Sequence, residues 1–325
     1  MQQQNWQTLL QKSEKSPWLL LDGLDINDIS LSTTANNLFP FRVTTGFSKR
    51  IEKGNPDDPL LRQILPLTDE ELEHPGFSND PLAEQEQQPV PGLLHKYNGR
   101  VLLIVTGACA IHCRYCFRRH FPYSDANTGG YNLEPALQYL ENDKTVSEVI
   151  LSGGDPLSIS DERLTTLVNL LAGIQHIKRL RIHSRIPVVL PERITDKLLR
   201  ALTATRLQPV MVIHVNHANE LDSVTAQALE NIGQHNIPLF NQAVLLKGVN
   251  DSVDALVQLS EKLFEFGVIP YYLHMLDPVR GTVHFQVEES RAKQIMQHLH
   301  GLLPGYLVPR LVREIAGSAS KISVS

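Results

Sequence analysis

The chain has 325 residues, of which 42% are hydrophobic and 20% charged. This composition is typical of a globular protein, and the length corresponds to about two ordinary domains or one large α/β domain with an attached segment. Thirty basic and 35 acidic residues leave a formal net charge of −5, so no overall positive charge points to nucleic acid or to an anionic membrane. The first residues, MQQQNWQ, lack a basic and apolar leader, and no apolar run is long enough to span a bilayer. We expect a soluble, cytoplasmic protein.

The first region, residues 1–92, is rich in proline, with seven prolines between positions 56 and 91. Thr68 and Glu71 have the spacing of a capping box, which predicts a short helix that begins there. The run EQEQQP at 84–89 is polar enough to form a linker or an exposed turn. We interpret residues 1–92 as a helical and irregular N-terminal extension packed on the main domain.

From about residue 93 short apolar runs alternate with helical patterns, and after the first run they recur roughly every 30 residues, the length of a strand–helix unit. The clearest helical patterns lie at 223–233 and 251–266. The six predicted strands are 101–105, 148–151, 180–183, 210–215, 239–244 and 268–274. Six such units predict an α/β fold, a partial (βα)6 TIM-like barrel over residues 93–306, followed by a C-terminal tail at 307–325.

Polar segments follow or end most of the predicted strands. They are GGDP at 153–156, HSR at 183–185, HVNH at 214–217 and the residues from 274 to 277, and Gln242 lies within the fifth strand. Because the carboxyl ends of parallel strands meet at one rim of such a barrel, we expect these segments to converge there. The sequence therefore predicts a site at this rim.

Three cysteines, Cys109, Cys113 and Cys116, follow the first barrel strand and are the only cysteines in the chain. Three clustered thiols indicate a ligand set rather than a disulfide framework. A 4Fe–4S cluster normally takes four cysteines, so three would leave one iron open to a further ligand. The alternatives are a structural zinc site with His112 or His120 as the fourth ligand, although no second ligand pair is present, or unliganded thiols.

The C-x3-C-x2-C motif after the first strand of a six-unit barrel resembles the radical S-adenosylmethionine (SAM) superfamily. In that superfamily the open iron binds the amino and carboxylate groups of SAM. Gly153, Gly154 and Asp155 resemble the glycine-rich loop that contacts the methionine amino group, where the lack of a Cβ atom permits close approach. The resemblance implies a 4Fe–4S cluster on the three cysteines and SAM as a cofactor.

A closer resemblance, from about residue 97 to residue 321, is to the lysine 2,3-aminomutases. It is carried by the segments CRYCFRRHF, LSGGDPL, RIHSRIPVVLPERIT, HVNHANE, NQAVLLKGVND and HMLDPV. That family also uses pyridoxal 5′-phosphate (PLP), and Lys321 in AGSASKISV occupies the place of the lysine that forms an imine with it. A primary amine is the group this bond requires. The residues at 317–320, GSAS, keep the small size of the family's glycine run but not its flexibility.

The resemblance also implies substrate and cofactor contacts. Arg118 occupies the place of the arginine that pairs with the substrate carboxylate, a task that suits a guanidinium. Asp277 matches an aspartate that holds the distant ammonium group of lysine, and Glu314 stands where the family has a second such aspartate. The longer side chain of Glu314 keeps the charge and changes its reach. His214 and Gln242 match positions that contact the adenosyl ribose.

Charge and location suggest Lys96 and Arg100 as contacts for the cofactor phosphate. The printed chain ends four residues after Lys321, and in this it resembles the short bacterial enzymes that make (R)-β-lysine for elongation factor P. The resemblance thus implies an isomerase that converts L-α-lysine to (R)-β-lysine by radical 1,2-amino migration. It further implies an external electron donor and a functional link to elongation factor P and its lysyl ligase, with no nucleic-acid or membrane partner.

Three alternatives remain open on the sequence. The first is a 2,3-aminomutase for another amino acid such as glutamate or arginine, although Asp277 and Glu314 favour a cationic side chain because they would repel a substrate carboxylate. The second is a radical enzyme that does not use PLP. The third, from a different class, is a zinc-dependent binding module for a translation protein.

Overall fold

The computed structural model describes residues 5–124 and 133–324. Within these ranges the chain forms one sheet of nine strands that lie side by side in their sequence order. They are β1 (Leu93–Tyr97), β2 (Arg100–Thr106), β3 (Glu148–Gly153), β4 (Arg179–Ser184), β5 (Gln208–Ile213), β6 (Leu239–Val244), β7 (Ile269–His274), β8 (Arg310–Arg313) and β9 (Ile322–Ser323). Strands β2 to β8 run parallel, and β1 and β9 pair antiparallel at the two edges. Because no pairing of the described residues joins β9 to β1, the sheet is an open, partial barrel, which confirms the predicted fold class.

Helices occupy the N-terminal extension and the connections between parallel strands. In the described residues the α-helices are α1 (Trp6–Gln11), α2 (Pro17–Gly23), α3 (Thr33–Leu38), α4 (Thr45–Ser48), α5 (Pro59–Arg62), α6 (Glu134–Asn142), α7 (Asp161–Gly173), α8 (Ile186–Val189), α9 (Asp196–Thr203), α10 (Ser223–Gln234), α11 (Val253–Glu265) and α12 (Glu289–Leu302). The predicted helix at 251–266 is α11, which begins after the N-cap Ser252 and ends before Gly267, whose φ of +73° suits a helix stop. Short 3-10 turns complete several loops.

The six predicted strands are β2 to β7, and the structure adds a seventh parallel strand, β8. It lies in the segment predicted as a tail, and β9 folds back on it, so residues 310–323 extend the sheet. Strand β8 has four residues, of which only Leu311 and Val312 are buried, and this is too short a pattern for periodicity to identify. The division at residues 92 and 306 stays a prediction.

The N-terminal extension packs on the barrel, as the sequence suggests. Most of its buried hydrophobic residues, among them Phe41, Phe47 and Leu61, belong to the same hydrophobic cluster as the barrel strands. The predicted short helix begins at Thr68, as a 3-10 helix over Thr68–Glu71. The predicted capping box is absent, since no side chain caps this helix and Glu71 accepts a hydrogen bond from Ser32. In the polar run 84–89, residues 85, 86 and 89 are exposed, whereas Glu84 is buried, contrary to the prediction for it.

No helix of residues 5–124 and 133–324 combines the length and the apolar character that crossing a bilayer would need.

Candidate active site

A cavity of about 410 Å³ opens at the carboxyl ends of the parallel strands. Its volume lies within the range of small-molecule sites in enzymes. Every residue that the sequence analysis proposed for the site lines this cavity. They are Cys109, Cys113, Cys116, Arg118, Gly153, Gly154, Asp155, His214, Gln242, Asp277, Glu314 and Lys321, together with Lys96 and Arg100.

The cysteine loop, defined here as residues 107–119, forms one side of the cavity. Cys113 Sγ accepts a hydrogen bond from Arg185 Nη1 at 2.7 Å, and Cys116 N donates to Cys113 O at 3.0 Å. Removal from water raises the pKa of Cys116 to about 11 and raises that of Cys109 further above its usual value. The thiols of Cys109 and Cys116 are therefore protonated at neutral pH, and iron that binds them would have to displace their protons.

The zinc alternative lacks a fourth ligand in this arrangement. His112 Nδ1 lies 2.5 Å from Pro40 O, and its ring stacks on Phe39. His120 Nε2 lies 3.3 Å from Arg280 O. Neither histidine lines the cavity. Across the described ranges no three histidine, cysteine or acidic side chains, the three cysteines included, converge as the ligands of one metal ion would.

The two glycines of the GGDP loop make room for the chain's own backbone. A Cβ atom on Gly153 would lie 2.4 Å from Thr106 O, and one on Gly154 would lie 2.5 Å from Ala108 O. Gly154 N donates to Thr106 O at 2.7 Å, and Asp155 N donates to Ala108 O at 2.8 Å. Gly153 also has a φ of +122°, which few other residues adopt. These glycines therefore let the loop after β3 lie against the start of the cysteine loop, and their contact with SAM stays a prediction.

The carboxylate of Asp155 connects the ends of β3 and β4. It accepts hydrogen bonds from Ser184 Oγ at 2.8 Å and from the backbone nitrogens of Arg185 and Ile186 at 2.8 and 3.2 Å. Burial raises its pKa to about 6 even though these bonds favour the charged form. Because both oxygens have partners within the chain, Asp155 has a positioning role here, and its predicted contact with a cofactor stays a prediction.

Three histidines at strand ends face the cavity. His214 Nε2 lies 2.9 Å from Gln242 Nε2, so the structure brings the two predicted ribose contacts together. The Nε2 atoms of His183 and His274 are buried and have no hydrogen-bond partner among the described residues. Removal from water lowers the pKa of His214 and of His274 to about 3 and that of His183 well below its usual value. Neutral, buried and unpaired ring nitrogens call for a polar ligand, so these residues fit a bound polar cofactor.

Their positions in the sequence predict that His183 and His274 lie at the rim but indicate no role for either residue. Position in the strand is the signal that could have identified them, because His183 is the next-to-last residue of β4 and His274 is the last residue of β7.

Arg118 lies beside the third cysteine and is bound by a carboxylate of the N-terminal extension. Its Nε and Nη2 donate to the two oxygens of Glu84 at 2.6 and 2.8 Å, and its Nη1 donates to Ser152 Oγ at 3.0 Å. Lys96 Nζ lies 2.9 Å from the same carboxylate. A guanidinium has five N–H groups, so these bonds leave two for a further anion. Glu84, which the sequence analysis assigned to a polar turn, is therefore part of the site.

Another part of the cavity wall carries Lys321 and the two predicted ammonium-binding acids. Lys321 Nζ donates to Glu314 Oε2, and Lys96 Nζ donates to Glu314 Oε1 at 3.1 Å. Burial alone would raise the pKa of Glu314, but the two ammonium groups outweigh it and hold this pKa well below its usual value. Removal from water and the nearby Glu314 raise the pKa of Asp277 to about 7. One acid is therefore charged and paired, and the other is partly protonated at neutral pH.

The two predicted phosphate contacts differ in their surroundings. Arg100 lies with its Cζ 4.7 Å from the centroid of the Tyr97 ring, and no carboxylate of the described residues forms an ion pair with it. Lys96 instead bridges Glu84 and Glu314. Arg100 is therefore better placed to receive an anion than Lys96.

Comparisons with known proteins agree with this geometry. Residues 103–260 match the sequence profile of the radical SAM superfamily. The L-lysine 2,3-aminomutase of Haemophilus influenzae is 48% identical over 322 residues, which cover 98% of this chain and 95% of that protein. The L-lysine 2,3-aminomutase of Escherichia coli is 49% identical over 321 residues, covering 98% and 94%.

Among solved structures, Streptococcus suis SuiB bound to the precursor peptide SuiA aligns with a TM-score of 0.48 and 14% identity, over 64% of this chain and 46% of that one. The assignment depends on the two full-length relatives rather than on this alignment. On their evidence, the chain belongs to the L-lysine 2,3-aminomutase family of radical SAM proteins.

Proposed function

We propose that this protein is an isomerase that converts L-α-lysine to (R)-β-lysine by radical 1,2-amino migration. The cofactors are a 4Fe–4S cluster, SAM and PLP, and an external donor supplies the electron. The observation that carries the proposal is that three thiols and Lys321, from opposite ends of the barrel sequence, line one cavity in a member of this family.

The cofactor side of the cavity is assigned to the cysteine loop and the strand ends. When bound, the cluster and SAM would supply the radical that takes a hydrogen atom from the substrate, and PLP would supply a conjugated ring that delocalises the unpaired electron while the amino group migrates. The three cysteines hold the cluster. The unpaired Nε2 atoms of His183 and His274 and the His214–Gln242 pair bind polar atoms of the cofactors.

Lys321 and Arg100 are the residues proposed to hold PLP. The Lys321 amine faces the cavity and supplies the nucleophile that binds the cofactor aldehyde. Arg100 lines the same cavity and has no carboxylate partner among the described residues, which suits it to the phosphate.

The substrate is proposed to lie between two groups of opposite charge. Its carboxylate binds the two N–H groups of Arg118 that Glu84 and Ser152 leave unused. Its distant ammonium replaces Lys321 at Glu314, because both are primary ammonium groups of the same charge. The arrival of this cation also favours the charged form of Asp277, whose pKa near 7 lets it respond at neutral pH.

The test is anaerobic incubation of the reconstituted full chain with L-lysine, SAM, PLP and a reductant, followed by chiral mass spectrometry. We expect (R)-β-lysine, and much less β-isomer when L-arginine or L-glutamate replaces L-lysine. Deoxyadenosine without β-lysine would keep the radical chemistry and reject lysine as the substrate. The absence of both products from a protein with an intact cluster would reject the aminomutase proposal.

We further propose that the product is attached to elongation factor P by a separate lysyl ligase. This part of the proposal rests on the resemblance, described above, to bacterial enzymes that make (R)-β-lysine for elongation factor P. In a bacterial strain without this enzyme, elongation factor P should lack the β-lysyl mass addition. The wild-type gene should restore it and the Lys321→Ala gene should not, and restoration by both genes would contradict the proposal.

A further inference from the structure

We infer that the N-terminal extension positions the cysteine loop for cluster binding, and that Glu70 is the positioning residue at the centre of this contact. The inference rests on the proposed function in one respect, the identity of the loop as the cluster site. It assigns a role to a region whose sequence indicated none.

The backbone of the cysteine loop is hydrogen bonded to the extension between the thiols. His112 N donates to Arg42 O at 3.0 Å, and Arg114 N donates to Gln63 O at 2.9 Å. These two donors lie just before and just after Cys113. The extension therefore fixes the path of the loop on both sides of the second cysteine.

Glu70 binds two arginines of the same loop. Its Oε1 accepts from Arg114 Nε at 2.7 Å, and its Oε2 accepts from Arg114 Nη2 at 2.6 Å and from Arg119 Nη2 at 2.5 Å. The three side chains are at most 2% exposed. Phe39 of the extension lies beside both guanidinium groups, with its ring centroid 5.1 and 5.3 Å from their Cζ atoms. This is a bidentate, fully buried ion pair, the geometry in which such pairs are most directional.

The two arginines also contact each other within the cysteine loop. Arg119 Nη1 donates to Arg114 O at 3.0 Å and to Gly281 O at 3.1 Å. A Cβ atom on Gly281 would lie 2.9 Å from Arg119 Nη1, so the guanidinium packs directly against this glycine. Along the backbone, Arg119 N donates to Cys116 O at 3.1 Å. Holding the arginines in place therefore holds the turn that carries Cys113 and Cys116.

The charges of this contact also suit a cluster site. Two guanidinium groups and one carboxylate leave one net positive charge behind a loop whose three thiols become negative when they bind iron. Glu70, Arg114 and Arg119 do not line the cavity, so they act through the loop and touch neither substrate nor cofactor. Loss of the Glu70 charge would leave two buried cations without their carboxylate, which strongly favours rearrangement of the loop.

The experiment compares Glu70→Gln with Glu73→Gln, an exposed residue that loses the same charge three positions away. Each full-length variant is reconstituted anaerobically, and the rate of iron loss to a chelator is measured after circular dichroism has confirmed folding. Partners of metal ligands change metal affinity by about 10–100-fold, so we expect iron loss at least ~10-fold faster in Glu70→Gln and within about twofold of wild type in Glu73→Gln. Equal rates in Glu70→Gln and wild type would overturn the inference.

A second readout does not depend on the cluster. In the metal-free proteins, alkylation of Cys113 and Cys116 should be faster in Glu70→Gln than in wild type, and unchanged rates would overturn the inference. A wild type that holds no iron and sulfide would reject the proposed function and the cluster part of the inference, and the alkylation rates would then decide only whether Glu70 positions the cysteine loop. If Glu70→Gln does not fold, Arg119→Gln replaces it in both assays, with the same expected and contradicting results.

Discussion

The two sides of the cavity are built in opposite ways. The cysteine loop lies against the N-terminal extension and is held by buried ion pairs and backbone hydrogen bonds. Lys321 lies on another part of the cavity wall, after a largely exposed segment at 315–320, and is followed by the two residues of β9, which rejoin the sheet. Within that segment the described backbone forms one backbone–backbone hydrogen bond, from Ser318 N to Ile315 O.

This difference follows from the tasks proposed for the two sides. Ligands of an inorganic cluster must stay in place, because a small displacement weakens binding and changes the electronic properties of the metal. A lysine that binds a cofactor and then yields it to the substrate must move, and segments that open easily have few buried contacts. Gly317, with a φ of +76°, allows the sharp backbone turn that this exposed segment needs.

The largest expected effect comes from a change in the cysteine loop. Cys113→Ala removes one of three ligands, and the sequence holds no other cysteine to replace it, so iron and sulfide binding and turnover should fall to background. The part of the cavity around Lys321 should be unaffected, so the absorbance of the imine that Lys321 forms with added PLP should remain. Turnover close to that of wild type would reject the cluster assignment.

The reciprocal change is Lys321→Ala. Iron and sulfide content should equal that of wild type, the imine absorbance should disappear, and turnover should fall by about 10³-fold or more because the covalent attachment is lost. Lys293→Ala, at an exposed position on α12, is the matched control and should behave as wild type. If Lys321→Ala lost its iron as well, the two sides would not be independent.

Hydrogen exchange tests the contrast in mobility directly. The amides of His112, Arg114 and Cys116 have backbone acceptors in a buried contact, whereas residues 316, 317, 319 and 320 are exposed. We expect exchange at the first three amides to be slower by about 100-fold or more in the metal-free protein, measured by mass spectrometry of peptides. Comparable exchange rates in the two segments would contradict the expected difference in mobility.

Glu84 connects the two sides, because it binds Arg118 on one and Lys96 on the other. Glu84→Gln should loosen Arg118 and raise the KM for lysine about tenfold with a smaller change in kcat, as expected when a ground-state contact is lost. Glu86→Gln, exposed in the same turn, is the control. A fall in kcat with an unchanged KM would show that Glu84 does not orient a substrate contact.

The smallest expected effect is on stability. The pKa of Asp277 is raised to about 7 in the folded protein, so the native state holds an extra proton between about pH 4 and pH 7 and the contribution of this group to stability is lost as the pH rises through that range. The Tm of Asp277→Asn relative to that of wild type should therefore rise by about 5–10 °C between pH 5 and pH 8. Calorimetry of the metal-free proteins, with the exposed Asp28→Asn as control, measures it. A Tm difference between Asp277→Asn and wild type that does not change with pH would contradict this prediction.

Several features of the site could be predicted because they are local in sequence. The spacing of the three cysteines, the glycine pair after β3 and the histidines at strand ends can each be identified within a few residues, and the strand–helix period then places them at one rim. The three cysteines, the two glycines and the histidines line the cavity for this reason. Arg118, Asp277, Glu314 and Lys321 also line it, but they were proposed through the family resemblance. Strand β8 was missed because its four residues include only two buried apolar ones.

The roles of the charged residues could not be predicted in the same way. Glu84 lies in a polar run and resembles an exposed residue, yet it is 2% exposed because Arg118, 34 positions further along the chain, binds it. Glu70 has the same local character and is buried against Arg114, 44 positions away. A buried carboxylate and an exposed one have the same sequence signature until the partner is known.

The sequence by itself therefore indicated the partial barrel, the rim where the cavity lies and the three clustered cysteines, because these depend on periodicity and residue type, which short segments express on their own. Lys321 was proposed only through the resemblance to the lysine 2,3-aminomutases, and its role stays a prediction. Only the tertiary structure decided which acids are buried, that Lys321 pairs with Glu314 and that the N-terminal extension holds the cysteine loop. The physical reason is that the energy of a buried charge depends on its partner, and the partner is brought close only when distant segments pack together.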